Sequence, residues 1–377
     1  MRVGIDASAM IVAPQTGIEN YTSSLIKALT EIRVQTDIEY YLYFFAGNVF
    51  TDKKRLDVIK QLNQVAHTRV WPLPRGYDLV LSLIARADHL SLLHMPNTKM
   101  PRFAPCPVVI TVHDLCWLNL PDEVIGDEKR LAMAAASCAI RKAQGIIAVS
   151  ESTRRDVISH FRVEPDNVQV TREGSTPNSA VDYDKVKRTT AKYGLDSYIL
   201  YLGTLQTRKN LVRLINAFQS LVVNHGVEQK LVLAGGKGHG WQEIVEAAER
   251  SDCSDRIDFL GYVPADDIGG LYSGADVFVY PSLCEGFGLP IIEAMSFGVP
   301  VVASLTSSLP EVGGDAAIYC DPYNEDDIAM KILGVIRNRA STNVMIARGL
   351  SRSREFTWSK TALDTISAYS HFIQRIT

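Results

Sequence analysis

The sequence predicts an α/β protein built from two doubly wound, Rossmann-like domains. Short apolar runs rich in β-branched and aromatic residues alternate with amphipathic stretches along the chain, the pattern of parallel strands joined by helical crossovers. The two halves repeat that alternation without any short repeat period. At 377 residues the chain is also long for a single hydrophobic core and suits two.

In the first half the expected strands are Val3–Ile5, Tyr40–Phe45, Arg69–Trp71, Leu92–His94, Val108–Val112 and Gly145–Val149. Helices such as Glu19–Leu29 and Lys129–Lys142 lie between them. In the second half the strands are Tyr198–Leu202, Leu231–Leu233, Ile257–Phe259, Val277–Tyr280, Val301–Ala303 and Ile318–Tyr319. The polar stretch Glu173–Asp184 marks the boundary, giving a first domain of 1–175 and a second of 185–356. The last segment, Phe356–Ile376, has a helical pattern with Trp358 near its start. Doubly wound domains open their ligand crevices at the carboxyl ends of their strands, so the site is expected in a cleft between the two.

Bulk properties exclude several functions. A net charge of −3 lacks the basic surplus of a nucleic-acid binder. Six cysteines (Cys106, Cys116, Cys138, Cys253, Cys284, Cys320) are scattered with no CxxC pair, which argues against structural zinc or a disulfide framework and fits a reducing cytoplasm. The chain enters a strand at once, with no signal peptide, and no apolar run approaches the roughly 20 residues of a membrane span. Asp52-Lys53-Lys54-Arg55 could touch anionic lipid headgroups as a peripheral contact at the inner face of the membrane, or be an ordinary solvated cluster.

The most informative stretch is Glu285-Gly286-Phe287-Gly288-Leu289-Pro290-Ile291-Ile292-Glu293, between the strand Val277–Tyr280 and a helix with Pro290 in its first turn. Gly286 and Gly288 let backbone approach a ligand, and the helix start offers N–H groups of Phe287, Gly288 and Leu289 to an anion. A carboxylate stands on either side, suited to accepting from sugar hydroxyls rather than to binding phosphate. A ligand with phosphate between hydroxyls is a nucleotide sugar. Strand–glycine loop–helix turns are also common in α/β proteins, and a Glu in a first turn is favoured by the helix dipole alone.

Tyr280-Pro281-Ser282, then Glu285–Glu293 and Ala294-Met295-Ser296-Phe297-Gly298-Val299-Pro300-Val301-Val302-Ala303-Ser304 resemble the signature of retaining glycosyltransferases of family 4. The resemblance extends over nearly the whole chain and is strongest from Gly203 to Val312. It implies the GT-B arrangement, with the C-terminal helix (357–377) crossing back to the first domain.

Gly203-Thr204-Leu205-Gln206-Thr207-Arg208-Lys209-Asn210 follows a strand and opens a helix. Its two cations suit a diphosphate, Arg208 as a planar fork and Lys209 as a point charge, and would stabilise the charge of a leaving nucleoside diphosphate. A solvated Arg-Lys pair is the plain alternative. The stretch resembles the family's diphosphate-binding segment; many members have Gly-Arg where this chain has Gly203-Thr204, and Arg208 is taken to supply that contact. The resemblance places Gly235, in Ala234-Gly235-Gly236-Lys237-Gly238, near base and sugar. It places Val263, in Phe259–Pro264, where backbone meets the nucleobase edge. Ser307-Ser308-Leu309-Pro310-Glu311-Val312 also matches, with a structural role at the sheet end.

In the first domain the strand Val108–Val112 ends at His113-Asp114, facing the expected cleft. A lone His is often structural. By resemblance His113 binds the transferred sugar near its 6-hydroxyl and turns its carbonyl to the anomeric centre, while Asp114 orients it or meets acceptor. Gly17, after Thr16, starts a helix that would abut the distal phosphate and acceptor, or is a plain helix-start glycine. Ser150 or Ser152 is an N-cap candidate. His94-Met95-Pro96-Asn97 resembles an acceptor-side His and Asn.

These readings point to transfer of a hexose from a nucleotide diphosphate to a glycan or glycolipid hydroxyl, with retention, in polysaccharide biosynthesis. Glu285 would accept from the donor sugar and Glu293 from the ribose. UDP-glucose is the favoured donor; GDP-mannose is the alternative, because the Gly-Thr-Leu-x-x-Arg-Lys-Asn form also occurs in enzymes that use it. No DxD-like pair follows a strand, so neither metal nor other cofactor is expected. A sugar-nucleotide 2-epimerase would need carboxylates around C2 beyond the Glu pair. A non-catalytic nucleotide-sugar-binding subunit would bind donor without turnover.

Overall fold

A computed structural model of the chain describes residues 1–12, 17–33, 36–45, 52–71, 77–121, 130–175 and 182–376. The chain divides into two compact units. The first comprises Met1–Leu115, Arg130–Gly174 and Trp358–Thr377; the second comprises Cys116–Lys129 and Ser175–Thr357.

The first unit is a parallel sheet of β1 (Arg2–Asp6), β2 (Glu39–Phe45), β3 (His67–Trp71), β4 (Leu92–Met95), β5 (Val108–Val112), β6 (Gly145–Ala148) and β7 (Val168–Val170). Its order is β3-β2-β1-β4-β5-β6-β7, so the winding reverses between β1 and β4. The strands β4, β5 and β6 are buried along their length, as strands covered by helices on both faces must be. The sequence reading contained the first six strands and missed β7, an edge strand of three residues with too little length to carry a period.

The C-terminal helix Trp358–Ile376 belongs to this unit and packs on the helix Gly17–Ile32. Gly145 makes room for it, since a Cβ there would lie 2.5 Å from the Phe372 ring. Thr361 donates to the Arg172 carbonyl at 2.8 Å, fixing the start of the helix.

The second unit holds β8 (Tyr198–Leu202), β9 (Lys230–Ala234), β10 (Ile257–Gly261), β11 (Val277–Tyr280), β12 (Val301–Ser304) and β13 (Ile318–Cys320). All are parallel in the order β10-β9-β8-β11-β12-β13, with the switch point between β8 and β11. Each expected strand of this half is present, with bounds differing by at most two residues. Among the described residues no helix is long and apolar enough to cross a membrane.

One expectation is corrected. Cys116, at the start of the helix Cys116–Asn119, is disulfide-bonded to Cys284, with the Cα atoms 5.7 Å apart. The partners lie 168 residues apart, so nothing in their spacing along the chain marks them as neighbours.

Candidate functional site

In the second unit the carboxyl ends of β8 and β11 bring the two motifs together. After β8 the chain makes a short 3-10 turn at Thr207–Lys209 and reverses at Asn210, which adopts a left-handed φ of 63°. Asn tolerates that conformation better than most residues. Its side-chain amide donates to the carbonyls of Pro281 (3.1 Å) and Pro322 (2.6 Å), tying the turn to the segment that follows β11. The turn delivers Arg208 and Lys209 onto Glu285. Arg208 donates to the Glu285 carboxylate at 3.0 Å and to the Cys284 carbonyl at 2.8 Å. Lys209 donates to the other Glu285 oxygen and, at 2.6 Å, to the Tyr280 hydroxyl.

Burial alone would raise the pKa of Glu285, but the charges of Arg208 and Lys209 outweigh it and hold the carboxyl at about 2. The loop carrying it is pinned from behind. Ser307, at φ 53°, accepts from the Glu285 amide at 2.9 Å, and Ser308 donates to the carbonyls of Glu285 (3.0 Å) and Phe287 (2.7 Å). The stretch given a structural role at the sheet end thus sets the loop Gly286–Gly288.

That loop leads into the helix Leu289–Ser296, with Gly288 before it at φ 112° and Pro290 in its first turn. Glu293 lies one turn further and accepts from the Tyr272 hydroxyl at 3.0 Å. Burial raises its pKa, and the Tyr272 bond offsets part of that rise. Gly203 and Gly235 end the neighbouring strands β8 and β9 in direct backbone contact: the Gly203 amide donates to the Ala234 carbonyl at 2.9 Å, and a Cβ on Gly235 would lie 1.9 Å from the Gly203 carbonyl oxygen. Val263 is buried just past β10. The second-unit residues singled out from sequence therefore gather at one edge of one sheet.

In the first unit His113 follows β5. Its Nδ1 lies 3.2 Å from Glu173 and its Nε2 lies 3.0 Å from the Pro96 carbonyl, while the Tyr21 ring meets it edge-on with centroids 4.6 Å apart. Burial would lower its pKa; the hydrogen bond and charge of Glu173, the Pro96 carbonyl and Asp114 together raise it. Asn97 follows Pro96 and accepts from the Lys99 amide at 3.0 Å, shaping the turn beside His113. Asp114 is half-buried next in the chain.

His94 does not stand on an acceptor face. It is fully buried, with Nδ1 2.6 Å from the Tyr369 hydroxyl and Nε2 2.8 Å from Thr111. Burial, with the nearby charge of His113, pushes its pKa down to about 3, so it is a neutral core residue bonded to the C-terminal helix. Ser150 caps the helix Glu151–Phe161 by accepting from Thr153 at 3.0 Å. Gly17 begins its helix, whereas Thr16 lies outside the described residues, as does the side chain of Lys54. Arg55 is paired with Asp52 at 3.1 Å, leaving the proposed basic cluster partly self-neutralised.

Three residues escaped the sequence reading. Glu173 lies in the polar boundary stretch, where a lone acid carries no signal. Tyr272, the partner of Glu293, sits in a helix, and its hydroxyl is invisible to hydrophobic periodicity. Tyr280 enters the sequence analysis as an apolar strand residue and as part of the family signature, with no role for its hydroxyl, which receives Lys209. Among the described residues no group of three or more His, Cys, Asp or Glu could hold a metal ion.

Two doubly wound parallel sheets with such loops at their carboxyl edges define the GT-B class. The fold matches that of sucrose-phosphate synthase from Thermosynechococcus elongatus (TM-score 0.75, 17% identity, all of both chains). It also matches Anabaena HepE in complex with UDP-glucose (TM-score 0.72, 18% identity, 98% of this chain and 99% of that one). Residues 16–175 match the family model "Glycosyltransferase Family 4", and residues 182–352 match "Glycosyl transferases group 1". The chain is 32% identical to the O-antigen chain mannosyltransferase B of Escherichia coli, over 97% of this chain and 98% of that protein. The chain belongs to glycosyltransferase family 4.

Proposed function

We propose that this glycosyltransferase moves a mannosyl residue from GDP-mannose to a hydroxyl of a glycan or glycolipid acceptor, in the assembly of an O-antigen-type polysaccharide. The observation that carries the reading is the end-to-end likeness to an O-antigen chain mannosyltransferase. It moves the preference from UDP-glucose, the donor favoured by sequence, to the alternative.

Arg208 and Lys209 hold the diphosphate, with backbone N–H groups of the loop Phe287–Leu289 as further donors. Glu285 accepts from a sugar hydroxyl; a carboxylate offers about four lone-pair sites, so it can do this while retaining both cations. Glu293, set by Tyr272, accepts from the ribose. The resemblance adds His113 of the first unit, through its carbonyl. The acceptor oxygen attacks C1 on the face the diphosphate leaves; the C1–O bond to phosphate breaks, and the leaving phosphate oxygen takes the acceptor proton. Configuration is retained, and no metal takes part.

The test is calorimetry and transfer assays with GDP-mannose, UDP-glucose and UDP-galactose, run with and without EDTA. Binding and turnover confined to GDP-mannose, and indifferent to EDTA, are expected. Turnover of UDP-glucose alone would sink the donor assignment, and activity lost to EDTA and restored by Mg²⁺ or Mn²⁺ would sink the metal-free mechanism.

A further inference from the structure

Glu173 and His113 form a buried pair in the first unit, with side chains 9% and 17% exposed. Glu173 Oε1 lies 3.2 Å from Nδ1 of His113, and the Pro96 carbonyl oxygen lies 3.0 Å from Nε2. A carbonyl oxygen and an ionised carboxylate accept hydrogen bonds and donate none. Both ring nitrogens therefore face acceptors, an arrangement satisfied when each carries a proton. The edge-on Tyr21 ring, at an interplanar angle of 87°, packs against the imidazole.

We propose that Glu173 is a positioning residue: its carboxylate holds His113 as an imidazolium in one orientation, so that His113 presents its main-chain carbonyl in a fixed direction and takes no proton during transfer. This rests on the reading of His113 as a donor-site residue. A clamped imidazolium cannot compete for the acceptor proton, which stays available to the leaving phosphate.

The groups that act on the ring are Glu173, Asp114 and the Pro96 carbonyl, all favouring its charge; the effect of His113 on the neutral His94 runs the other way, depressing the pKa of His94. Burial disfavours the charge and is outweighed, so the pKa of His113 is raised. The clamped form is then fully present at and below the ordinary histidine range and is lost as pH rises through the raised value. Removing the carboxylate charge should move that loss to lower pH.

The experiment uses the full chain with Glu173→Gln and Glu173→Asp. ¹⁵N NMR of the histidine side chains, with His113 assigned by a His113→Asn variant, reads its titration without any substrate. The alkaline limb of GDP release from GDP-mannose reads the reaction. Glu173→Gln should lower the His113 midpoint, shift the alkaline limb down in pH and reduce kcat by about tenfold or more with KM little changed, by analogy with the loss on removing partners that orient metal-bound histidines. Glu173→Asp should recover part of both effects. A wild-type His113 that titrates at or below the ordinary histidine value overturns the proposal, as does a midpoint that ignores Glu173→Gln or falls while the pH profile of kcat stays in place. Because the NMR arm needs no donor, its failure is distinct from a failure of the GDP-mannose assignment.

Discussion

Glu285 and Lys209 are joined carboxylate to ammonium in a buried contact, and Arg208 completes the group by donating to the second Glu285 oxygen at 3.0 Å. One anion thus sets the place of both cations assigned to the diphosphate. Breaking a buried ion pair from one side is costly because it strands the partner charge, so Glu285→Gln should destabilise the protein by about 3–5 kcal/mol. The sign with pH follows from the depressed pKa. The contribution of Glu285 is fully present above its ordinary value of 4.5 and is lost as pH falls from there through about 2. Urea denaturation at neutral and acid pH should show the gap between wild type and Glu285→Gln closing on acidification; a gap independent of pH would deny the carboxylate this role.

Donor affinity should depend on the same cations. Charge-assisted hydrogen bonds contribute about 1.5–3 kcal/mol each, so Arg208→Ala and Lys209→Ala should each weaken GDP binding roughly tenfold to hundredfold. Calorimetry with GDP alone isolates this from the sugar contacts. Binding unchanged in both variants would mean that the diphosphate lies elsewhere.

Gly235 and Gly236 offer a matched comparison. A Cβ on Gly235 would lie 1.9 Å from the Gly203 carbonyl oxygen, at a φ of 144°, whereas one on Gly236 would have nothing within 4 Å. Gly235→Ala should therefore displace the β8 and β9 ends, costing about 1–3 kcal/mol in stability and weakening donor binding, while Gly236→Ala folds like wild type. Equal behaviour of the two in denaturation and GDP-mannose binding would refute the close approach.

The same comparison shows what a sequence can carry. The clustering in the second unit was legible because its candidate residues lie in contiguous motifs at strand ends: Gly203–Asn210, Gly235 and Glu285–Glu293 each announce a turn by glycine, and the first and last add charge. What depends on partners distant in the chain was not legible. Glu173 gains meaning only when folding sets it 3.2 Å from His113, sixty residues away. His94 differs for the converse reason: its likeness to an acceptor-side motif carries no sign that Tyr369, 275 residues on, bonds to it in the core.

The bond between Cys116 and Cys284 has a countable consequence. Denatured without reductant, the protein should show four reactive thiols, those of Cys106, Cys138, Cys253 and Cys320, and all six after reduction. Closing a separation of 168 residues should stabilise the fold by roughly 4–5 kcal/mol, less any strain. Reduced wild type and Cys284→Ser should therefore unfold at similar, lower urea concentrations than oxidised protein. Six thiols without reductant would return the chain to the disulfide-free state expected from its cysteine spacing.

Tyr369→Phe tests whether His94 is core or acceptor site. Losing the 2.6 Å bond leaves one nitrogen of a fully buried, neutral imidazole without its partner, a cost of about 1–3 kcal/mol. The loss should appear in urea denaturation and in weaker docking of the helix Trp358–Ile376, read as faster amide exchange along it. Donor turnover and acceptor KM should stay at wild-type values, since the tyrosine acts on a side chain sealed from ligand. An acceptor KM that climbs while stability holds would restore His94 to the acceptor side.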